Sequence, residues 1–289
     1  MDYLLKALAR GGRVRVYISK TTDIVNEAIK THDLYPSAAS VLGKTLTIGL
    51  MMGAMLKGDE ALTIKIDGNG PIGNVIVDSN AKGFVKGYVD NPHVHFSKNN
   101  TLDDVTTMGY NGYIDVIKDL KMKDLYSSTI PIQSGDLAKD FTYYFAGSEQ
   151  TPTITSLGII INEDNTTKIC GGIIIQLMPN ALEEDIDFLE FKTSVLSKFS
   201  GLLSEYEDLE VILKLIFGDD YQILEKQDVF YRCDCSKEKF ARGIATLGKA
   251  EIKDIIETDG QAEVICHYCK KQYLFSKSDL EKIESEARK

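Results

Sequence analysis

The chain has 289 residues, of which 43% are apolar, and a formal net charge of −10. That length and apolar share allow one large domain and a small one with real cores, which excludes global disorder. The negative balance argues against nonspecific binding to nucleic acid or to an anionic membrane surface, since both need clustered positive charge. Met1 to Arg15 mixes Lys6, Arg10, Arg13 and Arg15 with short apolar runs and lacks the continuous apolar stretch of a secretory signal. A reducing, cytoplasmic setting is therefore expected, where cysteines serve as metal ligands or redox sensors more often than as static disulfides.

Arg13 to Ile18 (RVRVYI) alternates charged and apolar residues, the period of a half-buried strand. Thr21 or Thr22 can cap a helix whose apolar face includes Ile24, Ala28 and Ile29. Ser37 opens a long stretch to Leu56 that contains Lys44 and the glycines Gly43, Gly49 and Gly53. A membrane span needs about 20 predominantly apolar residues, so this stretch is expected to be a buried core helix with small residues on a close-packed face. Strand-like runs follow at Leu62 to Ile66, Asn74 to Val77, Phe84 to Val89 and Tyr113 to Ile117. A helix is predicted over Leu137 to Ser148, then strands at Ile154 to Ile161 and Ile169 to Leu177 with a turn near Asn165. The short spacings favour antiparallel pairing in an α/β or α+β domain.

Charge divides the rest. Residues 1–178 carry 17 basic and 19 acidic groups, residues 179–232 carry 5 and 13, and residues 233–289 carry 11 of each. The middle stretch is predicted to be helical, with Leu182, Ile186 and Leu189, then Leu209, Ile212, Leu213, Ile216 and Phe217, at helical spacing. An amphipathic segment with that charge needs a surface to rest on, and like charges favour its release once the surface is lost. Phe188, Phe191, Leu196, Phe199 and Leu203 could form the docking face or a permanent core.

The last fifth holds the chemistry. Cys233-Asp234-Cys235 and Cys266-His267-Tyr268-Cys269 form C-x-C and C-x-x-C pairs separated by thirty residues. Two short-spaced pairs let four thiolates converge on one ion, and zinc accepts a tetrahedral set of four sulfurs. A region of 57 residues (233–289) has room for only a thin core, so a metal staple is useful there. His267 is expected at the surface, because four cysteines already fill the coordination shell. A zinc ribbon that docks nucleic acid would need a basic face, which this neutral region lacks. Thiolates are also the species that oxidants attack, and losing the metal removes the folding energy it supplies. A structural zinc and an oxidant-sensitive one both remain open at this point.

The sequence resembles the thirty-three-kilodalton, redox-regulated heat-shock holdases of bacteria over essentially its whole length. The matching stretches are Leu46 to Leu56 with Lys57-Gly58-Asp59, Gly68 to Gly73 (GNGPIG), Gly87-Tyr88-Val89 with Asn91-Pro92, and Asp140 to Pro152 (DFTYYFAGSEQTP). Gly171 to Pro179 (GGIIIQLMP), Phe217-Gly218 and Arg232 to Ser236 with the later C-x-x-C complete the set. The resemblance implies an α+β protein with a mixed α/β core domain (1–178), an acidic helical linker (179–232) and a zinc-binding redox-switch domain (233–289). It implies an ATP-independent chaperone whose Cys233, Cys235, Cys266 and Cys269 bind one zinc ion when reduced and inactive. Oxidation, together with unfolding conditions, would form Cys233–Cys235 and Cys266–Cys269 disulfides, the latter first. It would also release zinc, unfold the linker and give a dimer that binds unfolding client proteins.

Other signals are weaker. Gly68, Gly70 and Gly73 make a G-x-G-x-x-G string, but the next residues read as strand, so a hairpin turn is expected and not a nucleotide site. His93 and His95 could share a strand face, yet only Asp90 is close, and no metal site is expected there. Cys170 is expected to act as a small buried hydrophobe. Tyr143 and Tyr144 are expected to be core and interface residues. No Ser-His-Asp, Cys-His or carboxylate pair stands out, so no enzyme is expected. The rivals to a redox-gated chaperone are a constitutive binding protein with structural zinc and a metal-dependent enzyme, which would need an open coordination position.

Overall fold

In the computed structural model, which describes residues 1–99 and 101–286, the chain opens with an antiparallel hairpin, β1 (Tyr3–Ala9) and β2 (Val14–Lys20). Its turn, Arg10-Gly11-Gly12, has φ of 54°, 62° and 86°, a region that glycine enters freely and other residues seldom do. Helices α1 (Thr22–His32) and α2 (Pro36–Gly53) follow, with Pro36 at the first helical position, where its missing N–H costs nothing. Next come β3 (Ala61–Asp67), β4 (Asn74–Asn80), β5 (Phe84–Val89), the short β6 (Ser97–Lys98) and β7 (Thr101–Leu102), and α3 (Asp104–Met108). They are followed by β8 (Tyr113–Asp119), β9 (Tyr126–Pro131), α4 (Leu137–Gly147), β10 (Thr153–Ile161) and β11 (Thr167–Leu177). Then come α5 (Glu183–Leu196), α6 (Phe199–Glu205), α7 (Leu209–Phe217), β12 (Tyr221–Asp228) and β13 (Phe230–Tyr231). Two compact units result, Met1–Arg232 and Cys233–Lys289.

The first unit holds two sheets. One has the order β10-β11-β2-β1-β12 and the other β13-β5-β4-β3-β8-β9, with only the β13–β5 contact parallel. Helix α2 packs against strands of both sheets, and all its residues except Pro36 and Lys44 are buried. Apart from Lys44, which reaches Asp104 at 2.5 Å, it carries only apolar, small and hydroxyl side chains, because nearly every side of it is covered. Among the described residues, no helix is long and apolar enough to cross a membrane. The glycines of α2 allow the close approach. A Cβ on Gly49 would lie 2.8 Å from Val77 Cγ1, and one on Gly53 would lie 2.9 Å from the carbonyl oxygen of Asn80.

The five-stranded sheet is buried on both faces. Leu4, Tyr17 and Ile174 join the core around α2, whereas their neighbours Leu5, Val16, Ile18, Ile173 and Ile175 join a second core on the opposite face. That second core is closed by the acidic stretch: Leu189, Leu196, Phe199, Leu203, Leu209, Ile212, Leu213 and Ile216 are all buried in it. Phe188 stacks on Phe217 at 5.9 Å between ring centroids. Phe191, in contrast, is 79% exposed and takes no part in the docked face.

Polar contacts hold the same stretch at its two ends. Asp185 is fully buried and accepts hydrogen bonds from Arg10 Nε at 2.9 Å, Arg13 Nε at 2.6 Å and the backbone N–H of Leu182 at 3.0 Å. The hydrogen bond from Arg13, supported by Arg10, holds the Asp185 carboxyl far below the usual carboxylate range. The Arg10 N–H donates to Asp220 O at 3.2 Å, and the Arg10 guanidinium lies 4.9 Å from the centre of the Phe188 ring. The β1–β2 turn thus grips both the start of α5 and the chain after α7.

Helix was expected across the whole of 179–232, but α7 ends at Phe217 with Gly218 at φ 68°, and Tyr221–Asp228 is a strand. The cause is tertiary: Tyr221 and Ile223 turn to the second core, and the edge of β1 supplies the ladder. The register shifts between Lys6 (opposite Glu225) and Ala7 (opposite Ile223), which leaves Leu224 as a bulge residue.

Two outcomes follow. Gly53→Ala is expected to lower thermal stability by about 1–3 kcal/mol through overpacking against β4; an unchanged melting temperature would contradict the close packing. Asp185→Asn is expected to cost about 1.5–3 kcal/mol near neutrality, because it removes the buried carboxylate that Arg10 and Arg13 share and leaves them only the exposed Glu184 and Asp220. A carboxylate with a depressed pKa contributes stability above its unfolded value of about 4 and loses it as pH falls. The melting-temperature gap between wild type and Asp185→Asn should therefore narrow from pH 7 toward pH 3.

Candidate metal centre

The second unit is built from α8 (Lys237–Ala245), α9 (Lys249–Thr258), β14 (Gln261–Ile265), β15 (Gln272–Ser276) and α10 (Lys277–Glu286). Its core is small, centred on Ile244, Ile252, Tyr273, Phe275, Leu280 and Ile283. Local signals place each element. Ser236 caps α8 by accepting from the N–H of Lys239 at 3.2 Å. Ser276 and Asp279 form a reciprocal cap on α10, with Ser276 N–H donating to Asp279 at 2.9 Å and Asp279 N–H donating to Ser276 Oγ at 3.3 Å. Lys237 also reaches Asp279 at 2.9 Å and so ties α8 to α10.

The C-x-x-C lies in the turn between β14 and β15. Cys266 N–H donates to Lys271 O and Lys270 N–H donates to Cys266 O, both at 2.9 Å, with Lys270 at φ 58° closing the turn. The C-x-C lies in the irregular segment just before α8, where Asp234 pairs with Lys239. The four Sγ atoms lie within 4.8 Å of one another. Cys233 is 3.7 Å from Cys266, and Cys235 is 3.4 Å from Cys269. A tetrahedron with metal–sulfur bonds of about 2.3 Å has edges of about 3.8 Å, so the donor set suits a tetrahedral thiophilic cation and is compatible with zinc. All four residues are free cysteines, and Cys266 is buried.

The thiols are not equivalent. At Cys235, burial pushes the pKa up, but hydrogen bonds from the Tyr273 hydroxyl and the neighbouring thiols outweigh it and bring it down to about 7. The Tyr273 oxygen lies 3.1 Å from both Cys235 Sγ and the Cys235 carbonyl oxygen. Burial raises the Cys233 and Cys269 thiols. Tyr273 was not singled out from sequence. The only trace it leaves there is its position as an inward residue of β15, four residues past Cys269.

The remaining sequence features fall elsewhere. His267 is exposed beside the cluster, and among the described residues only the four cysteines form a metal-holding group. Gly68, Gly70 and Gly73 lie in the β3–β4 hairpin loop, where a Cβ on Gly70 would lie 2.3 Å from the carbonyl carbon of Met108. His93 bonds Asp33 at 2.8 Å, while His95 lies 3.3 Å from Ser37 Oγ, so the two rings do not converge. Cys170 is fully buried in β11, 3.5 Å from Thr47 Oγ1, and burial raises its pKa. Tyr144 is buried with its hydroxyl donating to Glu149 at 2.5 Å, whereas Tyr143 is 46% exposed.

Fold and site together define a two-unit α+β protein whose small C-terminal unit carries a cluster of four thiols with the geometry to hold a metal ion. Residues 2–276 match the Hsp33 protein family. The chain is 48% identical over 283 residues to the 33 kDa chaperonin of Bacillus subtilis, with 97% of each chain covered. It is 46% identical over 288 residues to that of Bacillus velezensis, with 99% of each covered. The crystal structure of the 33 kDa chaperonin from Thermotoga maritima superposes with a TM-score of 0.88 at 33% identity, covering 99% of this chain and 98% of that one. The chain belongs to the Hsp33 family.

Titrating the reduced protein with Co²⁺ is expected to saturate at a single ion per chain, with intense thiolate-to-metal charge-transfer absorption. Cys266→Ser should weaken or abolish that band. Saturation without a sulfur band would contradict four-thiolate ligation.

Proposed function

We propose that this chain is a redox-gated, ATP-independent holdase of the cytoplasm, which binds unfolding proteins under oxidative and heat stress. The observation that carries the proposal is the convergence of four thiol sulfurs within 4.8 Å, in a unit with a small core, on a chain of the Hsp33 family. In the reduced state, Cys233, Cys235, Cys266 and Cys269 hold one zinc ion, which when bound supplies bonds that a thin core cannot replace. Each pair of zinc-holding thiolates, Cys266 with Cys269 first and then Cys233 with Cys235, would form a disulfide by giving up two electrons, and the zinc ion, having lost its sulfur ligands, would pass to solvent. With hypochlorous acid as oxidant, the oxygen leaves as water and the chlorine as chloride.

The responding element is the acidic stretch 179–232, which lies between the core domain 1–178 and the cysteine unit 233–289. It is chemically continuous with the switch: Arg232, whose N–H donates to Val85 O at 2.9 Å, directly precedes Cys233. With 13 acidic and 5 basic groups, the stretch repels itself when its docking is weakened. Its release would uncover Leu5, Val16, Ile18, Ile173 and Ile175, an apolar face suited to unfolded polypeptide and to a second copy of the oxidised chain. Its charge would keep a client complex in solution. Neither nucleic acid nor membrane is a partner in this scheme, and no catalytic step occurs.

Light scattering of a heat-unfolding client tests the proposal. Protein treated with hypochlorite at elevated temperature is expected to suppress aggregation, and reduced, zinc-loaded protein to leave it unaffected. Equal suppression by both forms would make the protein a constitutive binder with structural zinc.

A further inference from the structure

Strand β1 is flanked by β2 on one side and by β12 on the other, and β12 belongs to the acidic stretch. We infer that the β1 edge covered by β12 is a client-docking site: an extended segment of an unfolded protein replaces β12 and joins the five-stranded sheet as an antiparallel strand. This deepens the proposed function and rests on release of residues 179–232.

β1 is apolar toward the second core, whereas its other face carries Lys6, paired with Glu225, between Leu4 and Leu8. Leu4 points into the core around α2, while Leu5, Ala7 and Ala9 point into the second core. A seven-residue edge of that kind, once uncovered, is a strong template for another strand. The current occupant shows what fits. Tyr221 and Ile223 pack on the second core, whereas Gln222, Leu224, Glu225 and Lys226 are exposed, so an extended segment with alternating apolar and polar residues suffices. Most of the recognition comes from backbone hydrogen bonds, which do not depend on client sequence.

The occupant is also replaceable. Its pairing with β1 is interrupted by the bulge at Leu224, and it presents more side chains to solvent than to the core. The Arg10 N–H donates to Asp220 O, so the alternation of an antiparallel ladder directs the backbone groups of Leu8, Lys6 and Leu4 to the same side. Those groups would lose their partners when β12 leaves. Release of α5 to α7 with β12 uncovers Leu5, Val16 and Ile18, so that inward side chains of an added strand lie beside an apolar surface. Edge strand β9 of the other sheet offers no such gate, because its pairing does not involve the acidic stretch.

Hydrogen exchange of the full-length protein, read on the β1 amides, tests the inference. β1 is expected to be protected in the reduced protein, to lose protection after hypochlorite and heat, and to regain it when a thermally unfolded client is added. A synthetic peptide with the sequence YQILEKQD, that of Tyr221–Asp228, should also restore protection and displace client, whereas its scrambled counterpart should do neither. If β1 stays unprotected in a complex that suppresses aggregation, clients bind elsewhere: the inference is overturned and the proposed function survives. If β1 never loses protection although the oxidised protein suppresses aggregation, the inference is likewise overturned. If the oxidised protein suppresses nothing, the proposed function fails and the inference falls with it.

Discussion

Docking of residues 183–228 on one face of the five-stranded sheet is the constraint on which the first unit depends. That face carries Leu5, Val16, Ile18, Ile173 and Ile175, and among the described residues this segment is its cover. The covering segment is at once apolar toward the sheet and crowded with carboxylates toward water. Burial of side chains such as Leu213 and Phe199 contributes about 1.5–3 kcal/mol each, enough to hold the segment against its own repulsion. Asp185, received by Arg10 and Arg13, aligns the start of α5, and the same turn reaches Asp220 beyond α7. The grip is therefore short in sequence on the sheet side and long on the segment side.

The second unit depends on a different kind of bond. Six core residues and two helix caps define its shape, but the chain before α8 and the β14–β15 turn meet at the sulfur cluster. Tyr273 links the two descriptions, since its ring belongs to the apolar core and its oxygen touches Cys235. A change at the sulfurs is therefore felt directly in the packing.

Much of this was legible in the sequence, for identifiable reasons. The cysteine pairs stood out because metal ligation imposes spacing on the chain. Helix α2 stood out because its small residues coincide with a long, mostly apolar run that holds a single charge, Lys44. The hairpin at Gly68–Gly73 was readable because strand alternation resumes at Asn74. Strand β1 was not readable: adjacent Leu4 and Leu5 serve opposite cores, which erases the alternation that marks a half-buried strand. β12 was hidden by its charged composition, and its conformation is imposed by a neighbour more than two hundred residues earlier in the sequence. Asp185 gave no sign of burial among thirteen carboxylates, because its partners come from the β1–β2 turn.

The strand order also bears on how the chain is made. Four strands of the five-stranded sheet, β10, β11, β2 and β1, are complete once Leu177 has been synthesised, whereas β12 lies more than forty residues later. Synthesis runs from the N-terminus at about 5–20 residues per second. Every newly made molecule therefore passes through an interval in which four strands of the sheet have been synthesised but the last has not yet left the ribosome. During that interval the nascent chain presents an open margin to its surroundings, and the rate of elongation through the acidic stretch sets how long it lasts.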